Sequence, residues 1–344
     1  MLFAKSCYAG RMHVQPLTSE DASLLDAFVA GHFNGSIEQT WAFGVLQTKV
    51  AGRPEFRVFG LFEDEKLVGS MLAIRQAMGL GKTWLWAPRG PLLPSGEEKA
   101  AWALLQEACG NWARLHGDVF LRVEPGFLPG EFELGGRGTA EAYVPGHTLM
   151  LDLGLSEAEL LAQMTQKGRY NIKVAEKHGV TVKEADLKGL HAFYEVFRET
   201  AGRDGFYLHQ EAFYRDFLAL LGKDAALYTA WIGDELVGGL IATFFRDQAV
   251  YYFGASAGKY REAMAPYALQ WHAIREAKRR DCKSYDFFGI APEGDAKHVL
   301  SGVTQFKTRF GGKRVDYAEP RVFVYRRAWW WLRSLAKLMR KLYK

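Results

Sequence analysis

Two stretches of the chain share one pattern of hydrophobic and polar positions. Residues 59–74 read Phe-Gly-Leu-Phe-Glu-Asp-Glu-Lys-Leu-Val-Gly-Ser-Met-Leu-Ala-Ile, and residues 228–243 read Tyr-Thr-Ala-Trp-Ile-Gly-Asp-Glu-Leu-Val-Gly-Gly-Leu-Ile-Ala-Thr. Each is an apolar run, an acidic turn, then Leu-Val-Gly and a second apolar run, which predicts a β-hairpin. Gly69 and Gly238 are equivalent points, 169 residues apart. A period that long marks a duplicated domain and not a solenoid.

The flanking patterns agree with a duplication. In the first half, periodicity predicts a helix over 19–31 capped by Thr18 or Ser19, a strand over 83–87, a helix over 97–116 and a strand over 119–123. The second half predicts one helix over 156–178, with Ser156 as N-cap and Glu159 completing a capping box. Helices over 187–201 and 210–221, a strand over 249–254, a helix over 265–280 and a strand over 285–288 follow. Both halves run helix, hairpin, strand, helix, strand, the order of a GNAT-like acyltransferase domain. The expected fold is α+β: two tandem GNAT-like domains, 1–148 and 149–314, joined by a linker around 135–146. Residues 315–344 then supply a return strand (315–325) and a terminal helix.

Composition narrows the function classes. A chain of 344 residues, 49% hydrophobic and 24% charged, suits a globular protein of two domains with full cores. The net charge is +5, but residues 326–344 hold seven basic residues and no acid, which leaves the rest near −2. A nearly neutral body argues against a dedicated, high-affinity nucleic-acid binder. The tail is amphipathic: Leu332, Leu335, Leu338, Met339 and Leu342 recur at helical spacing, while Arg333, Lys337, Arg340, Lys341 and Lys344 take the other face. With Trp329, Trp330 and Trp331 leading in, it suits an anionic membrane surface or tRNA; the plainer reading is a terminal helix packed on the body with its lysines in water. Cys7, Cys109 and Cys282 have no metal or redox spacing and read as the reduced thiols of a cytosolic protein. The nine histidines show no metal spacing either, so no metal is expected. No apolar run approaches a spanning helix, residues 1–10 are too short in apolar stretch for a secretory signal, and Met12 is the expected natural start.

Several segments, in this order, resemble the FemABX peptidyltransferases. They are Gln39-Thr-Trp-Ala-Phe-Gly44, Ala87-Pro-Arg-Gly-Pro91, Lys167-Gly-Arg-Tyr-Asn-Ile-Lys-Val-Ala-Glu-Lys-His-Gly-Val180, Thr200-Ala-Gly-Arg-Asp-Gly-Phe206, Tyr252-Phe-Gly-Ala-Ser256, Tyr285-Asp-Phe-Phe-Gly-Ile290 and Phe306-Lys-Thr-Arg-Phe-Gly-Gly312. The resemblance covers nearly the whole chain. It implies an aminoacyltransferase that moves an amino acid from aminoacyl-tRNA to the side-chain amine of the stem peptide of a UDP-linked or lipid-linked peptidoglycan precursor. It implies no cofactor beyond the tRNA co-substrate, and a monomer in the cytoplasm or peripheral on the inner face of the plasma membrane. Two departures stand out. Gln47 occupies a place where the family often has Lys, with Lys49 nearby, and no heptad stretch marks the coiled-coil arm of some members.

The reaction so implied is aminolysis of an ester. An alkylamine is neutral in only about 1 in 10³ molecules at pH 7, a cost of roughly 4–5 kcal/mol. Negative charge also builds on the carbonyl oxygen, where one placed donor supplies ~3–4 kcal/mol. The resemblance gives Lys307 the second task, stabilising the oxyanion or the departing ribose oxygen, with Phe306 beside it; the competing reading is a surface lysine on a loop. It places Glu124, after the strand ending in Leu-Arg-Val, near the acceptor amine as base or anchor; the alternative is a strand-end acid paired with Arg122. Arg203, expected after a helix ending near Ala201, becomes a contact to the precursor's diphosphate, with Tyr207 adding a hydroxyl. Otherwise it is a helix-end cation paired with Asp204. Arg169, Lys173 and Lys177 fall on one helical face with Lys167 beside them, which suits phosphates or a solvated basic face equally. Tyr251 and Tyr252 alternate on a strand, one facing the core and the other a cleft, and Tyr252 joins the substrate-binding set.

Gln76-Ala-Met-Gly-Leu-Gly81 matches the acetyl-CoA loop pattern, but it lies between two strands and reads as a turn. The equivalent place in the second half, 258–266, lacks the glycine pattern. The rival functions are a CoA-dependent N-acyltransferase on the same fold and a non-enzymatic, membrane-associated binding protein.

Overall fold

The computed structural model describes residues 12–342. Cys7, the segment 1–10 and Lys344 lie outside the described residues, as do the side chains of Leu338, Arg340, Lys341 and Leu342.

The chain opens with β1 (Met12–Leu17), α1 (Ala22–Gly31), α2 (Trp41–Thr48), β2 (Phe56–Glu63), β3 (Lys66–Gly79), β4 (Lys82–Pro88), α3 (Glu98–His116), β5 (Phe120–Glu124) and β6 (Arg137–Gly138). Thr18 caps the turn before α1 through a capping box with Asp21. There follow β7 (His147–Asp152), α4 (Glu157–Gln163), α5 (Gln166–Lys177), β8 (Thr181–Ala185), α6 (Leu190–Asp204), α7 (Glu211–Leu221), β9 (Ala225–Ile232), β10 (Glu235–Phe245), β11 (Gln248–Ser256), α8 (Ala265–Arg279), β12 (Ser284–Gly289), α9 (Ser301–Lys307) and β13 (Lys313–Asp316). The chain then runs through β14 (Arg321–Val324) into α10 (Arg327–Leu342).

Two compact units result: Met1–Gly146 with Tyr317–Lys344, and His147–Asp316. The stretch 135–146 stays with the first unit, where β6 pairs with β14. The segment 315–325 is not one strand: β13 pairs with β7 in the second unit, and β14 pairs with β5 in the first. The first sheet runs β1-β2-β3-β4-β5-β14-β6, the second β13-β7-β12-β11-β10-β9-β8. Each sheet has one parallel pair, β4 with β5 and β11 with β12.

The repeated hairpins are β2–β3 and β9–β10. Each carries a β-bulge at the valine of Leu-Val-Gly: pairing skips Val68 between Leu67 and Gly69, and Val237 between Leu236 and Gly238. The duplicated motif therefore encodes a bulge as well as a turn. The first core packs Trp102, Leu105 and Trp112 of α3 on Phe59, Leu61 and Leu121. The second packs Tyr267, Leu269 and Ile274 of α8 on Tyr228, Leu240 and Tyr285.

One helix expected from periodicity is two. Met164 is extended and ends α4, and Thr165 starts α5 by accepting from the Gly168 amide. The Ser156–Glu159 capping box is present at the start of α4. The break follows from tertiary pairing, since the Thr165 amide donates to the Arg309 carbonyl at 3.0 Å. Only the end of the Gln76–Gly81 segment is a turn: Gln76 to Gly79 close β3, where Gln76 pairs with Trp84, and Leu80–Gly81 make the β3–β4 turn, with Gly79, Leu80 and Gly81 all at positive φ. Cys109 and Cys282 are buried free thiols, and burial pushes Cys109 up to about 12. Among the described residues no helix is long and apolar enough to cross a membrane.

Candidate functional site

In the second unit, Lys307 is the last residue of α9 and is only 5% exposed. It is not a surface lysine. Its Nζ donates to the Gly289 carbonyl at 2.7 Å and lies 5.4 Å from the Tyr251 ring centroid. Burial pulls the ammonium down to about 8, and the nearby Asp286 carboxylate partly restores it. The strand that delivers Gly289 is irregular. Pairing between β12 and β7 slips between Asp286 and Gly289, and Phe288 sits at a φ of 60°. Such a slip re-aims a strand end, here toward the lysine. Asp286 holds the irregular turn by accepting from the Phe288 amide at 2.6 Å and from the Thr148 hydroxyl.

The other end of the lysine is clamped. Phe306 packs edge-on against Tyr267 at 5.1 Å and Phe310 at 5.5 Å. The Ala291 amide donates to the Thr304 hydroxyl at 2.7 Å and ties α9 to the end of β12. The turn after Lys307 is held by the break between α4 and α5. A Cβ on Gly168 would stand 2.3 Å from the Arg309 carbonyl oxygen. Gly311, at a φ of +81°, approaches Gln163 so closely that a Cβ would stand 2.8 Å from its carbonyl oxygen.

Tyr252 stacks on Phe288 with ring centroids 4.7 Å apart, so it reaches the Lys307 group through that irregular turn. Tyr251 packs on the core, and burial raises its hydroxyl to about 12 although Gln270 bonds it. Arg203 lies in the last turn of α6, within the helix and not after it. Its guanidinium pairs with Asp204 at 2.9 Å and donates to the Ser256 carbonyl at 3.0 Å. Tyr207 is exposed, with its ring edge-on to His209. Arg169 is engaged locally: it donates to the Leu161, Ala162 and Met164 carbonyls and closes the end of α4. Lys173 is exposed on α5, as are Lys167 and Lys177.

In the first unit, Glu124 ends β5 and is buried. Its carboxylate accepts from the Tyr143 amide at 3.0 Å and the Val144 amide at 2.8 Å, and Arg122 Nε lies 2.8 Å away. The Arg122 guanidinium lies against both the Trp84 and Tyr143 rings, 4.6 and 4.4 Å from their centroids. Burial lowers the Arg122 guanidinium, and the Glu124 charge opposes that shift. Gln47 is buried on α2 and accepts from Arg53, whose guanidinium in turn faces the Trp86 and Tyr143 rings. Tyr143 thus joins Gln47 and Glu124 into one group within this unit.

With both groups described, comparison with known proteins becomes informative. The chain matches the FemAB family over residues 130–235 and 233–318, more than half of its length. The chain belongs to the FemAB family. A lipid II:glycine glycyltransferase of Staphylococcus aureus (strain COL) is 21% identical over 377 residues, spanning 83% of this chain and 87% of its own. The crystal structure of FemX superposes with a TM-score of 0.81 at 17% identity, covering 92% of this chain and 99% of that one. A tandem GNAT protein from the clavulanic acid biosynthesis pathway superposes at 0.54 with 13% identity, covering 91% and 98%. The fold of this FemAB-family chain is therefore α+β with two tandem GNAT-like domains.

Two residues of these groups, Asp286 and Tyr143, escape sequence reading, whereas the pairing of Glu124 with Arg122 is the alternative that the sequence offered. Asp286 sits inside the quoted Tyr285-Asp-Phe-Phe segment, and its signal was a lone acid within an otherwise apolar strand. Arg122 alternates with Glu124 along β5, a spacing that puts both on one face. Tyr143 carries no local signal, because its role depends on a backbone amide reaching back to β5.

Proposed function

We propose that this chain is an aminoacyltransferase that moves an amino acid from aminoacyl-tRNA to the side-chain amine of the stem peptide in a lipid-linked peptidoglycan precursor. FemAB membership and the S. aureus relative, named for transfer of glycine to lipid II, support the reaction class and the lipid-linked acceptor. The observation that carries the reading is Lys307, a buried lysine inside the family-matched segment.

In this reading the acceptor amine attacks the ester carbonyl carbon of the aminoacyl-tRNA. A C–N bond forms, the bond from that carbon to the ribose oxygen breaks, the nitrogen loses a proton and the ribose oxygen gains one. A lysine at about 8 keeps its proton by roughly ten to one at pH 7. It is also a stronger acid than an exposed lysine, which suits a donor to the departing oxygen. Among the described residues its hydrogen bond goes to Gly289 alone, so two ammonium protons remain for the oxyanion or the ribose oxygen. Arg203 and Tyr207 supply a guanidinium and a hydroxyl for the diphosphate, and Tyr252 and Phe306 frame the lysine. Glu124 already takes two backbone amides and Arg122; it acts first as a positioning residue for the Tyr143 segment, and as a base it would have to release one of those donors. Arg169 and Lys173 on α5 and, in the first unit, the buried amide of Gln47 are the remaining proposed substrate contacts.

The test is mass analysis of a lipid-linked precursor incubated with the protein and charged total tRNA, alongside Lys307→Ala. The expected result is a mass gain of one or more aminoacyl residues that needs charged tRNA and is lost in the variant. Transfer from an acyl-CoA without tRNA, or no mass gain from any charged tRNA, refutes the reading.

A further inference from the structure

Helix α10 turns its faces the opposite way from a basic helix that rests its leucines on a protein body. Trp330, Arg333 and Lys337, at i, i+3 and i+7, face the first unit. The Trp330 ring meets Phe120 edge-on at 5.0 Å, Arg333 pairs with Glu141 at 2.6 Å, and Lys337 pairs with the same carboxylate. Burial lowers the Arg333 guanidinium in that contact. Trp329 is held as well, by Lys82 at 4.9 Å from its ring.

The opposite face is apolar and open. Trp331 is 67% exposed, Leu332 57%, Leu335 55% and Met339 49%. Their spacing places all four on one side of the helix. Isolated exposed leucines need no explanation, but a stripe of four large apolar groups on one amphipathic helix does. The charge around the stripe is one-sided: residues 326–344 hold seven cations and no acid, and two of those cations share the single Glu141 carboxylate. Arg326 and Arg327 are exposed at the start of the helix. A surface that complements this helix is apolar beneath and anionic above, which describes a bilayer of acidic lipids. A nucleic acid fits less well, because the outward face offers aliphatic groups where phosphates need cations.

We propose that α10 docks flat on an anionic lipid surface through Trp331, Leu332, Leu335 and Met339. The inference goes beyond the proposed reaction and does not depend on it, since docking needs neither donor nor acceptor. The test is co-sedimentation of the full chain with phosphatidylglycerol–phosphatidylcholine vesicles, with pure phosphatidylcholine vesicles and, separately, filter binding of total tRNA. The expected result is binding to the phosphatidylglycerol vesicles that weakens with salt and is much weaker on phosphatidylcholine. Two variants probe the face: Trp331→Glu/Leu335→Glu, and the uncharged Trp331→Ser/Leu335→Ser. Both sites are exposed and lie outside the proposed catalytic and binding residues, so the fold, read by circular dichroism, and transfer to the lipid-linked precursor dissolved in detergent are expected to persist. Each pair of changes is expected to weaken vesicle binding at least about tenfold. No binding to phosphatidylglycerol vesicles overturns the proposal. So does vesicle binding that both variants leave unchanged, or tRNA binding that they abolish while vesicle binding stands. Vesicle binding without any transfer would sink the proposed function and leave this inference in place.

Discussion

Lys307 should make the stability of the second unit depend on pH in a way that a methionine cannot reproduce. The group titrates near the ordinary 10.5 when unfolded and at about 8 when folded. Below about pH 8 both states hold the proton, and the folded state bears the full cost of burying it. Between about 8 and 10.5 the unfolded chain holds more protons than the folded one, so stability rises with pH through that window. At about 1.4 kcal/mol per pH unit the rise attributable to this one residue is about 3 kcal/mol. Lys307→Met keeps the length and the burial of the side chain and removes the titration. Urea unfolding of both proteins, followed by circular dichroism at steps from pH 7 to 10.5, gives the difference between them. All other groups titrate in both, so they largely cancel. The wild type is expected to gain about 3 kcal/mol on the variant across the window, with most of the change above pH 8. A difference that stays flat from pH 7 to 10.5 would falsify the idea that this lysine is held in its buried place as an acid of lowered pKa.

Other outcomes follow from neighbouring contacts. Removing the lysine is expected to slow transfer by about 10²–10³-fold, as loss of one oxyanion donor does, read as single-turnover rates with saturating substrates. Glu124→Ala leaves the buried Arg122 guanidinium with only Glu141, 3.7 Å away, and should destabilise the first unit by up to about 3–5 kcal/mol; limited proteolysis should also cut faster around Tyr143, whose amide loses its acceptor, and unchanged proteolysis would count against the anchoring role. Gly168→Ala drives a methyl into the Arg309 carbonyl and is expected to cost about 1–3 kcal/mol, with a loss of transfer rate as the turn after Lys307 shifts. Arg203→Ala is expected to raise KM for the precursor about tenfold or more with little change in kcat, and Arg203→Lys should not restore it, because a single ammonium cannot hold two phosphate oxygens at once.

The duplicated hairpin was legible because its signal is local. Turn, alternation and Leu-Val-Gly all lie within sixteen residues, and even the bulge falls at the same valine in both copies. The caps at Thr18 and Ser156 were readable for the same reason. The break between α4 and α5 was not, although Thr165 is a good N-cap residue, because the Arg309 carbonyl that completes it comes from residues far along the chain. Burial of Lys307 escaped reading in the same way. Its carbonyl partner is aimed by an irregularity in β12 that depends on Thr148 of β7. The end of the helix bearing Arg203 was placed too early, near Ala201, since Gly202 breaks the propensity pattern but α6 runs on to Asp204 and stops at Gly205 in a left-handed conformation. The tail was amphipathic as its spacing implies; which face meets the body was decided by a single acid, Glu141, that no helical pattern could reveal.

The placement of β14 has a consequence for how the molecule is made. This strand fills the gap between β5 and β6, yet 170 residues of the second unit, His147–Asp316, emerge from the ribosome before it does. At about 5–20 residues per second the edge of β5 waits roughly 10–30 s for its neighbour. During that interval the earlier-born half has an unpaired strand edge while the later-born half can already close its own sheet. Order of synthesis and order of completion are thus reversed: the first half to appear is the last to be finished. A nascent chain stalled near residue 316 should expose β5 to chaperones or to pairing with another copy, and a few more residues carrying Arg321–Val324 should end that vulnerability.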